Sequence, residues 1–223
     1  MDFISSLVTL LKKNANPDEA GKMQAYMREL FSYYGVKAPI RKALLKETYA
    51  TYLPDLSHSS IISIAKELYE KPQRELHYCA MEITDRFLKK KYIIDDIHFI
   101  EFLITTHSWW DTVDFIAKHI LGNYLLQYPD QIPAIIKEYS ESNNMWLNRS
   151  AILFQLGYKN KTDAHLLFAL CDQHKSSTEF FIKKAIGWAL REYSKVAPEA
   201  VVSYISTAKL QPLSEKEGLK RIP

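Results

Sequence analysis

A tryptophan and an aspartate stand four residues apart at Trp110 and Asp114, inside the segment SWWDTVD (108–114). On a helix this spacing puts both side chains on one face. An electron-rich ring beside a carboxylate can stabilise a developing positive charge. Further on, Arg149 falls between Leu153 and Leu156 on the helical wheel of NMWLNRSAILFQLGYK. An arginine with apolar neighbours must either pair with a carboxylate or lay its stem along a groove. A third segment, TEFFIKKAIGWALREYSK, carries Lys184, Gly187 and Arg191 opposite an apolar arc of Ile182, Ala185, Ile186, Ala189 and Tyr193. A basic stripe with a glycine in its middle lets another backbone approach closely, which suits phosphate contacts. Trp188 sits at the border of the two arcs. Each feature also has a plainer reading. Trp110 and Trp188 can be rim packing, Asp114 a solvated side chain or the anchor of a buried pair with Arg149, and the basic stripe a solvated face.

The elements that must position these residues follow from caps and periodicity. Asn16-Pro17-Asp18-Glu19 reads as a helix start, with a capping side chain and a proline in the first turn. Ser108-Trp109-Trp110-Asp111 and Ser214-Glu215-Lys216-Glu217 have the order of a capping box. Helices are also expected to begin near Pro39, Gln73, Asn143 and Thr178. The starts at 39, 73, 109, 143 and 178 are separated by 34, 36, 34 and 35 residues. That spacing, without strand signals, predicts an all-α, HEAT-like helical-repeat solenoid. No unit shows the tetratricopeptide Trp/Gly/Tyr pattern. The expectation is about six antiparallel helix pairs plus a C-terminal helix, forming one domain over residues 1–223 with a concave groove. Within the helix from residue 109, Trp109, Val113, Ile116 and Ile120 share the core stripe, and Asp114 lies off it.

Composition bounds the rest. A hydrophobic fraction of 47% is ample for a core. The balance of 29 basic against 26 acidic residues is too even to announce nucleic acid by itself, so any such case rests on where the charges lie. Cys79 and Cys171 stand alone in apolar patterns and read as small buried hydrophobes of a reducing compartment. The first residues have the wrong charge order for a secretory signal, and no apolar run reaches the roughly 18 residues of a membrane span. A cytoplasmic protein is expected, without membrane contact. The histidines and cysteines lack ligand spacing, so neither a metal nor a cofactor is expected.

The segments YMRELFSYYGVKAPIRK (26–42), SWWDTVD (108–114), NRSAI (148–152) and WALREYSK (188–195), with a weaker echo at LSEKEGLKRI (213–222), resemble the AlkD family of bacterial DNA alkylation repair glycosylases. The resemblance spans nearly the whole chain. It implies that Asp114 is the catalytic carboxylate, with Trp110 and Trp188 as its partner tryptophans. Arg149 matches a phosphate-contacting arginine, and Tyr26 a DNA-contacting tyrosine. Lys184 and Arg191 join the DNA-binding set as the basic stripe. Two places depart from the family pattern: His107 stands where an asparagine is expected, and Glu215-Lys216-Glu217-Gly218 replaces a more basic stretch.

The implied activity is excision of cationic alkylated purines, N3-methyladenine and N7-methylguanine, from duplex DNA by a monomer acting at the bacterial nucleoid. Most glycosylases flip the base; this family resembles a clamp on the backbone instead. No lyase-type lysine is read beside the aromatic set, so the expected enzyme is monofunctional and leaves an abasic site. The competing reading is a non-catalytic HEAT-like protein that binds distorted or branched DNA. A protein-binding scaffold is disfavoured by the stripe of Arg149, Lys184 and Arg191.

Overall fold

The computed structural model describes residues 2–52, 54 and 56–222. Helices are the only regular elements among them, in the order α1 (Phe3–Lys13), α2 (Pro17–Tyr26), α3 (Ala38–Tyr52), α4 (His58–Tyr69), α5 (Arg74–Leu88), α6 (Asp96–Thr105) and α7 (Trp110–Phe115). There follow α8 (Gly122–Gln127), α9 (Ile132–Glu141), α10 (Met145–Leu153), α11 (Ala164–His174), α12 (Phe180–Tyr193), α13 (Pro198–Ala208) and α14 (Pro212–Leu219). The expected starts at 39, 73, 109, 143 and 178 correspond to helices whose first residues are 38, 74, 110, 145 and 180. The packed pairs are those of a HEAT-like repeat, as the spacing predicted.

The chain forms two compact units, Met1–Lys91 and Tyr92–Pro223, dividing in the loop between α5 and α6. In the first, α4 packs along α5, and α1 along α3. Asn16 caps α2 as predicted: its side chain accepts from the Glu19 amide at 3.1 Å, with Pro17 in the first turn. The loop after α2 is tied down from the helix wall. The buried Glu75 carboxylate accepts from the amides of Tyr34, Gly35 and Val36 at 3.1, 2.8 and 3.1 Å. Gly35 has φ +84°, where a side chain would also strike the Asn16 carbonyl, so glycine is required there.

In the second unit α7, α10 and α12 lie side by side, and α14 packs along α12. Helix α7 runs through a π-helical segment, Ile116–Leu121, into α8. The wider turn carries Ile116, Ala117, Ile120 and Leu121 into the core together. Asn148 joins α10 to the end of α9, its Nδ2 within 2.9–3.1 Å of the carbonyls of Tyr139, Ser140 and Ser142. Cys79 and Cys171 are free and fully buried. Burial pushes the Cys79 thiol up to about 12 and raises Cys171 further, so neither is a ready nucleophile. Among the described residues, no helix is long and apolar enough to cross a membrane.

Candidate active site

The placement of the site begins in the loop before α7. Ser108 does not cap α7, contrary to the capping-box expectation. Its hydroxyl donates backwards to the Ile104 carbonyl at 2.6 Å, at the end of α6. A helix end leaves carbonyls without partners, and Ser108 supplies one of them with a donor. Trp109 takes the N-cap position in extended conformation, and His107 is left-handed at φ +48°. That backbone favours asparagine among non-glycine residues, a physical reason for the asparagine expected there. Trp109 is only half-buried; its ring packs on Trp146 and Phe181 at centroid distances of 5.7 and 5.1 Å. The rest of the predicted stripe, Val113, Ile116 and Ile120, is fully buried.

With α7 starting at Trp110, Asp114 stands four residues on, off the stripe and facing α10. Its carboxylate accepts from Arg149 through both oxygens, from Nε at 2.7 Å and Nη2 at 2.9 Å. Arg149 Nη1 also donates to the Phe181 carbonyl on α12. The Arg149 side chain is 5% exposed and that of Asp114 14%. The arginine is therefore turned inward to the carboxylate, and its fork geometry fixes both oxygens. The buried-pair reading of Asp114 and Arg149 holds as geometry, and the carboxylate still reaches an open cavity. Burial pushes the Asp114 carboxyl above its ordinary range, and the Arg149 hydrogen bonds only partly oppose this.

The basic stripe is not an open face. Helix α14 lies over it, and Glu217 bridges its two cations: Lys184 Nζ at 3.0 Å from one oxygen, Arg191 Nη1 at 2.6 Å from the other. The hydrogen bond from Lys184 holds the Glu217 carboxyl below its ordinary range. The backbone that approaches Gly187 belongs to this chain. A Cβ added there would lie 2.5 Å from Glu217 Cβ and 2.8 Å from the Ser214 carbonyl. Ser214 does not cap α14 either. The helix begins two residues earlier at Pro212, and the Ser214 hydroxyl donates to the Lys183 carbonyl at 3.0 Å.

These side chains meet around a cavity of about 250 Å³ within the second unit. Trp110, Asp114, Arg149, Lys184, Trp188 and Arg191 all line it. Tyr26 lies in the other unit, at the end of α2, and is 73% exposed. Three further lining residues escaped the sequence reading: Phe180, Phe181 and Glu217. The Phe-Phe pair opening α12 was visible as an aromatic doublet, but its link to Arg149 runs through a backbone carbonyl. Glu217 was seen only as an acidic residue in a late helix. Lys184, expected on the basic stripe, also lines the cavity. Its Nζ is engaged by Glu217 at 3.0 Å. Among the described residues, no group of three or more His, Cys, Asp or Glu is placed to hold a metal ion.

Chemically, one cavity brings together a fixed, partly desolvated carboxylate, two tryptophans and two cations bridged by Glu217. Residues 7–222 match the family model described as DNA alkylation repair enzyme. A solved structure described as a predicted DNA alkylation repair enzyme from Enterococcus faecalis is 31% identical, with a TM-score of 0.86 over 93% of this chain and 96% of that one. The crystal structure of smu.31 from Streptococcus mutans UA159 shares the fold, at 20% identity and a TM-score of 0.61 over 83% of this chain and 97% of its own. No curated protein matches the chain.

Proposed function

The chain belongs to the DNA alkylation repair enzyme family, and on that premise we propose that it is a glycosylase acting on cationic alkylated purines in duplex DNA. Its substrates on this reading are N3-methyladenine and N7-methylguanine, and it cleaves their N-glycosidic bond without flipping the base. The observation that carries the proposal is the Asp114 carboxylate, held in both oxygens by Arg149 in a cavity lined by Trp110 and Trp188.

A purine alkylated at N3 or N7 is already positively charged, so it departs as a neutral base with the bonding electron pair and needs no general acid. Charge then develops on the deoxyribose as an oxocarbenium ion. Asp114 stabilises that charge electrostatically and orients a water, whose oxygen bonds to the anomeric carbon while its proton passes to the carboxylate or to solvent. Arg149 positions the carboxylate, so little reorganisation is needed as charge appears. Trp110 and Trp188 pack against the sugar-phosphate backbone, exclude water and offer ring faces to the cation. In this reading Lys184 and Arg191 bind phosphates, and the exposed Tyr26 contributes from the first unit. The product is an abasic site, because no free amine attacks the sugar. Incubating the purified protein with alkylated duplex tests the reading. Release of free methylated base is expected. Tight binding of distorted duplex with no base released would replace it with the non-catalytic alternative.

A further inference from the structure

The proposed reading assigns Lys184 and Arg191 to phosphates, yet both are already paired with Glu217. The carboxylate receives one cation on each oxygen, at 3.0 and 2.6 Å. A phosphodiester presents two non-bridging oxygens in much the same way, and charge-assisted bonds to either anion are of one kind. The cations remain within reach of solvent, with side chains 36% and 23% exposed against 14% for Glu217. All three line the cavity that holds Asp114. Glu217 is set in place by the close contact of α14 with α12 at Gly187, which leaves room for its Cβ and no other. The carboxylate thus holds, in the cavity that Trp188 also lines, the two cations that the duplex-DNA reading gives to a phosphate.

We propose that Glu217 is an intramolecular stand-in for a DNA phosphate, which the incoming strand displaces from Lys184 and Arg191. This rests on the duplex-DNA reading above. The helix α14 then acts as a latch on affinity. Any duplex must compete with Glu217 for both cations, so loose binding to undamaged DNA is built in.

The test is the affinity of the full chain for undamaged duplex across a salt series, for wild type and E217Q. The amide keeps the size and removes the charge. E217Q is expected to bind about tenfold more tightly at low salt, with the slope of log K against log salt steeper by about one contact. In a K184A/R191A background the same E217Q change should produce no gain, because nothing is left to release. E217D, which keeps the charge but shortens the reach, should fall between wild type and E217Q and serves if the amide melts. Unchanged or weaker binding by both folded variants, while wild type binds duplex, overturns the latch and leaves the DNA reading standing. A gain that persists without Lys184 and Arg191 also overturns it, since that would be a general effect of net charge. Absence of duplex binding by every variant even at low salt overturns the DNA reading itself, and the latch with it.

Discussion

The two sides of one cavity hold a carboxylate each, and they are built for opposite purposes. Asp114 is desolvated, and its carboxyl is pushed up by burial despite a bidentate arginine. Glu217 is the better satisfied, and its carboxyl is pulled down by the hydrogen bond from Lys184. Proximity of a cation alone therefore does not decide whether a carboxylate is poised or quenched. The two carboxylate side chains are equally exposed at 14%, and their cations are what differ: Arg149 is sunk between α7, α10 and α12 at 5% exposure, whereas Lys184 and Arg191 stay 36% and 23% exposed. The lesson is that the carboxylate whose charge burial penalises is the candidate for chemistry, and the one its cations hold below the ordinary range is the candidate for control.

Arg149→Ala should break this comparison most severely. It leaves Asp114 largely buried without its partner, and loss of one member of such a pair costs about 3–5 kcal/mol of stability. Thermal melting checks it; a drop of only a degree or two would mean that water replaces the guanidinium easily. Arg149→Lys should recover part of the melting temperature but little of the excision, because an ammonium cannot hold both oxygens.

Asp114→Asn should lower single-turnover excision by about two to three orders of magnitude, the usual effect of removing one preorganised electrostatic group. Duplex affinity should hold or rise slightly, since a carboxylate near phosphates is repelled. Some stability should also be lost, because Asn cannot satisfy both Arg149 donors. Excision at near wild-type rate would rule out Asp114 as the catalytic carboxylate. The wild-type pH profile sharpens the contrast. Because its folded-state pKa is raised, Asp114 loses its charge at a higher pH than an ordinary aspartate, and its protonation does not weaken the fold. Glu217, with a lowered pKa, contributes stability that is present above its ordinary range and is lost only on stronger acidification. Excision should therefore decline on acidification before the melting temperature does; coincident losses would contradict this.

Gly187→Ala should cost about 1–3 kcal/mol, since the methyl group would overpack against Glu217 Cβ and the Ser214 carbonyl. A melting curve unchanged from wild type would show that α14 yields readily. The smallest effect is expected for Lys184→Ala, which should weaken binding a few-fold and reduce the salt slope by about one contact. The loss should be the same for alkylated and plain duplex. A loss confined to alkylated duplex would place Lys184 at the lesion instead of at the backbone.

The sequence by itself determined the helices, their repeat and the core faces. Helix starts are local events: Asn16 caps α2 through an amide three residues away, and the apolar periodicity of α12 needs nothing outside that helix to be legible. Equal spacing of units then placed α7, α10 and α12 side by side, which is why Trp110, Asp114, Arg149 and Trp188 could be grouped before any coordinates. Tertiary structure decided the charges. Whether Arg149 turned to a phosphate or to Asp114 depended on an oxygen 35 residues away, and whether the stripe on α12 was open depended on α14. Ser108 and Ser214 misled for the same reason, since each hydroxyl donates to a carbonyl of another helix and caps none. Hydrophobic burial is periodic along a chain and can be read there; an ion pair is a contest among all donors and acceptors in reach, and only the folded chain says which are in reach.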